Sequence, residues 1–167
     1  MIAQSIGHFM KGKKIQDLLS VPAAATVLDA VGLMSRKGAG SVVVKDAAGG
    51  VGGIFTERDL VCRVVEKGLD PKSTPISRVM SPDVRRVPSS STVEETLRLM
   101  LLHGHRHLLV ADGTKVEGLV SIRDLMSWMV LPEEPIAHEG RPGVIRARAE
   151  EAVRTVQQAA GSGTPTR

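Results

Sequence analysis

The 167-residue chain has no tyrosine, one tryptophan and two phenylalanines. Its core must therefore be aliphatic, and the stacking aromatics common on nucleic-acid binders are missing. One cysteine, Cys62, excludes an internal disulfide. It sits in an apolar helical run and is expected to be a small core residue rather than a nucleophile; a reducing, cytoplasmic setting fits. No apolar stretch approaches the ~18 residues of a spanning helix, and Gln4, Ser5 and His8 interrupt any signal-peptide core, so no membrane role is expected. Charge of one sign is also scarce. Lys and Arg number 22 against 18 Asp and Glu, a net +4. A mild, dispersed basic excess favours anionic ligands in general and argues against nucleic acid as a partner.

Apolar residues make up 42% and charged residues 24%, as in ordinary globular proteins. Two short stretches stand out: Gly53-Ile-Phe-Thr56-Glu-Arg58-Asp59 and Gly118-Leu-Val-Ser121-Ile-Arg123-Asp124. Each ends a β-type run and opens a helical one, Leu60 to Lys67 and Leu125 to Val130, so Thr56 and Ser121 stand at helix N-caps. A helix start offers unpaired N–H groups and the positive end of the dipole, which suit phosphate. The hydroxyl can donate to the same anion and the Arg can clamp it. A carboxylate three residues on repels phosphate but accepts hydrogen bonds from a sugar diol. The same hydroxyl and Asp also satisfy a capping box with no ligand at all. Capping leaves the repeated Arg unexplained.

The chain is duplicated. Val21-Pro-Ala-Ala-Ala-Thr26-Val27 returns as Val87-Pro-Ser-Ser-Ser-Thr92-Val93; Met34 returns as Met100, and Val42-Val43-Val44 as Leu108-Leu109-Val110. The offset stays constant to the hairpin turn, where one residue is lost before Gly118. Each half reads as strand–helix–strand–strand–helix, an α+β arrangement. A half alone buries too little surface to be comfortable, so the two are expected to pack about a pseudo-twofold axis. The expected boundaries are a lead-in over 1–14, repeat one over 15–69, a linker over 70–76, repeat two over 77–131, and a tail over 132–167. A weak amphipathic helix is plausible at 144–160 within that tail. In the helix after Thr56, Leu60, Val61, Val64 and Val65 form the apolar stripe, with Arg63 and Glu66 facing out.

These residues resemble a tandem pair of CBS domains, the Bateman module, over about Lys13 to Leu131. The doubled Gly/hydroxyl/Arg/Asp motif carries the resemblance, together with the doubled Pro-x-x-x-Thr-Val helix start and the Gly104-x-Arg106-His107-Leu-Leu-Val110 strand. It implies two repeats, each with a small mixed sheet, and a cleft with two related sites for adenosine ligands: AMP or ATP foremost, ADP, NAD(H) or S-adenosylmethionine. It gives ribose to Asp59 and Asp124, and phosphate to Thr56, Ser121, Arg58 and Arg123. Ala39, Gly40 and Ser41 in one half, and His105, Arg106 and His107 in the other, would frame the base or reach a phosphate. Ala39 is smaller, and His105 more polar, than the aliphatic residue usual in the family, so unequal occupancy is expected.

The resemblance further implies a stand-alone, non-enzymatic regulatory module with no obligatory cofactor, a homodimer, and an unidentified protein partner that reads its state. Met34, Met100, Met126 and Met129 would lie in the core or at the dimer contact. The alternative is a constitutive scaffold with an empty cleft. A metal-dependent hydrolase built on His103, His105 and His107 lacks a nucleophile with its base, and no metal site is expected.

Overall fold

In a computed structural model, residues 4–11 and 18–130 are described. Helix α1 spans Ile6–Met10. Repeat one follows with β1 (Ser20–Pro22), α2 (Val27–Lys37), β2 (Ser41–Lys45), β3 (Val51–Thr56) and α3 (Glu57–Asp59), which continues as a π-helical stretch over Leu60–Val65. Repeat two has β4 (Arg86–Val87), α4 (Val93–His103), β5 (His107–Asp112), β6 (Lys115–Ser121) and α5 (Ile122–Val130). Each half carries one three-stranded mixed sheet: β2 lies parallel to β1 and antiparallel to β3, and β5 lies parallel to β4 and antiparallel to β6. This is the α+β duplication expected from sequence.

Local chemistry explains the elements. Thr26 and Thr92 each cap a helix through a reciprocal box, with Asp29 and Glu95 as the third residue on. Gly38 and Gly104 close the same helices in the left-handed conformation, φ 60° and 65°, which costs a residue without Cβ nothing. Val42 and Val44 point into one core with Val21, Val27, Ala30, Met34, Phe55 and Val64. Leu108 and Val110 point into a second core with Val87, Val93, Met100, Val120 and Leu125. Val43 and Leu109 alternate to the opposite faces and are also fully buried, so both faces of each sheet are covered.

The connecting segments complete these cores crosswise. Ile76 and Val79, in and just after a short 3₁₀ turn at Ile76–Arg78, belong to the first core. Ile6 and Met10 of α1 belong to the second. Residues read from sequence as a lead-in thus fill the half furthest from them in the chain. Backbone bonds fix the arrangement: Val27 N donates to Thr74 O at 2.9 Å, and Val93 N to Gln4 O at 3.1 Å.

Two expectations are corrected. Cys62 is exposed, not in the core. After Thr56 the helix adopts i→i+5 spacing, with Glu66 N donating to Val61 O at 2.9 Å, and it ends at left-handed Gly68, where Leu69 N donates to Val64 O. That wider turn leaves Val64 buried but Val61 and Val65 more than half exposed. Arg63 is exposed as expected, yet its guanidinium also reaches back to pair with Asp59 and donate to the carbonyls of Val79 and Met80. Met34 and Met100 are core residues, whereas Met126 and Met129 are exposed. Among the described residues no helix is long and apolar enough to cross a membrane. Residues 15–17 and the tail with its expected helix at 144–160 lie outside the described residues.

Candidate functional site

Two corners, where β3 enters α3 and β6 enters α5, bring most of the expected site residues together. Sheet register does the first part. Ser41 pairs with Thr56, and His107 with Ser121. One residue earlier the chains are tied again: Glu57 N donates to Gly40 O at 3.1 Å, and Ile122 N to Arg106 O at 2.9 Å. So Gly40, Ser41, Thr56 and Asp59 form one cluster, and Arg106, His107, Ser121 and Asp124 the other. Ala39 and His105 adjoin them one residue earlier in the chain. Arg58, Arg106 and Arg123 are exposed.

Both corners are reciprocal caps. In the first, Thr56 N and Oγ1 donate to Asp59 Oδ2 at 2.9 and 2.7 Å, while Asp59 N donates to Thr56 Oγ1 at 3.3 Å. In the second, Ser121 N donates to Asp124 Oδ2 at 2.8 Å, and Asp124 N to Ser121 Oγ at 3.2 Å. Capping therefore fixes each carboxylate beside the helix start. It does not use Arg58 or Arg123.

The two corners differ in charge and closure. Asp59 is buried, 7% exposed, and takes further bonds from Arg63 Nε and Ser81 Oγ, each at 3.3 Å. Ser81 reaches it because the segment after the 3₁₀ turn docks on β3, where Ile54 and Ser81 exchange backbone bonds at 2.9 and 2.8 Å. Sequence reasoning missed Arg63 and Ser81 at this corner. Arg63, four residues after Asp59, carried an i,i+4 signal; nothing in the sequence placed Ser81 there.

Around the second corner the side chains are basic. His105 stacks near His103, ring centroids 6.1 Å apart. Desolvation, then the positive charges of Arg85 and His103, push its pKa below the ordinary histidine value. Burial and its basic neighbours thus disfavour the protonated form of His105. No group of three or more His, Cys, Asp or Glu that could hold a metal occurs among the described residues. One open cavity of about 390 Å³ runs along α4 instead, lined by Ser91, Glu95, Arg98, Leu99 and Leu102.

Two small mixed sheets, each ending in a capped hydroxyl–Arg–Asp corner, define a tandem repeat of one structural unit. The CBS domain model matches residues 12–66 and 76–131, and the chain belongs to the CBS-domain family. An uncharacterized 17.7 kDa protein from Acidianus ambivalens is 38% identical over 101 residues, covering 60% of each chain. The CBS domain-containing protein CBSCBSPB3 of Arabidopsis thaliana is 29% identical over 131 residues, 78% of this chain but 24% of its own length. This chain therefore spans only part of these curated relatives. Among solved structures, a protein with CBS domains from Burkholderia ambifaria superposes with TM-score 0.71 at 34% identity, over 78% of this chain and 96% of that one. A CBS domain protein from Pyrobaculum aerophilum complexed with AMP has the same fold: TM-score 0.62, 22% identity, 72% and 89% coverage.

Proposed function

We propose that this chain is a non-catalytic regulatory module that binds an adenosine-containing nucleotide, AMP or ATP foremost, at a strand-to-helix corner. The observation that carries the reading is the second corner. There Ser121, Asp124 and an exposed Arg123 share a helix start with Arg106, His105 and His107. In this reading Asp124 takes the ribose diol, and Ser121, Arg123 and the helix N–H groups take phosphate. The first corner carries the matching residues Thr56, Arg58 and Asp59, with Ala39, Gly40 and Ser41 beside them, but its carboxylate is buried and already hydrogen-bonded within the fold. The AMP complex of the Pyrobaculum protein supports the ligand class.

Binding signals only if the ligand has different affinities for two states of the module or its assembly. Exposed Leu101, Leu102, Met126 and Met129 on α4 and α5 supply an apolar surface for a second copy. A homodimer, read by a separate protein, is the output we favour. Light scattering of the wild type against a Leu102→Glu/Met126→Lys variant tests it, with a dimeric mass expected to fall to the monomer.

Calorimetry with AMP, ATP, NADH and S-adenosylmethionine tests the binding reading. Saturable binding of at least one, weakened about tenfold or more by Asp124→Asn, is expected. No binding at millimolar ligand would leave the scaffold reading, which the small Ala39 favours.

A further inference from the structure

We propose that the first corner is a structural lock rather than a second nucleotide site, so that each chain takes one nucleotide, at the Ser121–Asp124 corner. This rests on the reading of that corner given above. An ionised carboxylate has about four lone-pair positions. Asp59 accepts three hydrogen bonds, from Thr56 N and Thr56 Oγ1 on Oδ2 and from Ser81 Oγ on Oδ1, and Arg63 Nε pairs with Oδ1 as an ion at 3.3 Å. A ribose diol would have to displace part of this set inside a buried site. Thr56 Oγ1 is committed as well, donating to Asp59 and accepting from its backbone N–H.

Charge closes the corner a second time. A Cβ placed on Gly40 would lie 3.2 Å from Glu57 Oε2. A carboxylate thus stands across the strand end beside the helix start, where an incoming phosphate would meet it. Position by position the second half is built otherwise. Arg106 replaces Gly40 and Ile122 replaces Glu57, which removes a carboxylate and adds a cation at the mouth, while Arg58 and Arg123 stand at both corners. Trp128 replaces Arg63 and packs against the second core.

The lock has a structural purpose of its own. Arg63 Nη1 donates to Val79 O at 3.2 Å and Met80 O at 2.6 Å while Nε holds Asp59. Asp59 thereby ties the corner to the segment at 79–81, just after Ile76 completes the first core. It acts as a positioning residue for the chain, not for a ligand.

The test pairs calorimetry with thermal melts on the full chain. With ATP and AMP, one equivalent per chain is expected. Asp59→Asn should leave affinity within about twofold, whereas Asp124→Asn should lower it about tenfold or more. In melts without ligand, Asp59→Asn should lower Tm by several degrees, and adding Arg63→Gln should lower it little further, because the pair acts as a unit. Two equivalents per chain, or a tenfold loss from Asp59→Asn, would overturn the single-site proposal while sustaining the nucleotide reading. Fully additive melting losses would overturn the lock. Absence of any nucleotide binding would sink the nucleotide reading and the single-site claim with it; the melts would still decide the lock.

Discussion

Ile6 and Ile76 occupy equivalent places in opposite halves. Each is fully buried, and each donates its N–H to the turn before a capped helix, Ile6 to Ser91 O at 2.7 Å and Ile76 to Ala25 O at 2.8 Å. The first residues described are therefore core residues. Ile6→Ala should cost about 2–5 kcal/mol, the usual range for emptying a buried Ile site. Hydrogen exchange should rise first at β5 and β6. Equal loss of protection in β2 and β3 would mean that α1 does not serve the second half selectively.

Gly53 and Gly118 are matched in sequence but not in what faces them. A Cβ at Gly53 would lie 2.8 Å from Ser81 O and 2.7 Å from Met80 Sδ, so backbone would have to move. At Gly118 the obstacle is the terminal methyl of Met10, the free end of a flexible side chain. Gly53→Ala should destabilise by about 1–3 kcal/mol. Gly118→Ala should cost clearly less, as denaturant midpoints will show.

Acid should loosen the caps. Hydrogen bonds hold the carboxyls of Asp29, Asp70, Glu95 and Asp112 below their ordinary pKa: from Thr26 to Asp29, from Lys72 N and Ser73 to Asp70, from Thr92 to Glu95, and from Ser89 to Asp112. A lowered folded-state pKa gives stability that is complete above the unfolded value, about 4, and is lost as pH falls through the folded one. Tm should hold between pH 7 and 5 on this account and drop below about 4. Glu95→Gln should flatten part of that slope.

His105 has the same sign at higher pH. Its folded pKa lies below the ordinary ~6.5 because burial, Arg85 and His103 all oppose the proton. Charging it costs stability as pH falls through that value. A bound phosphate would offset those cations and favour the proton. Nucleotide binding should therefore take up protons and tighten between pH 7.5 and 6. Titrations in buffers of different ionisation heat should reveal this, and His105→Gln should abolish it.

Much of the framework could be read from sequence because its signals are local. Thr26 and Thr92 announced their helices by capping chemistry, Gly38 and Gly104 ended them, and the Val42–Val44 and Leu108–Val110 runs marked central strands. The crossed placement of Ile6 and Ile76 was not recognised, since it depends on contacts between distant segments. The contacts of Arg63 went unread for a related reason. Helical spacing put it on the exposed face, where it stands, but its reach to Asp59 and to the carbonyls of Val79 and Met80 depends on a segment distant in sequence. For the candidate site, sequence brought out the repeated hydroxyl, Arg and Asp but not the further contacts at one copy, which need Ser81 from the start of the second repeat.

The crossed plugs also set the order of events when the chain folds. Met10, against Gly118, meets its seat about a hundred residues later, so the second half cannot finish until the chain doubles back on itself. Until then Ile6 and Met10 are sticky, unhoused side chains. Such distant closure slows folding, and makes the paired module, not the single repeat, the smallest unit expected to survive proteolysis during synthesis.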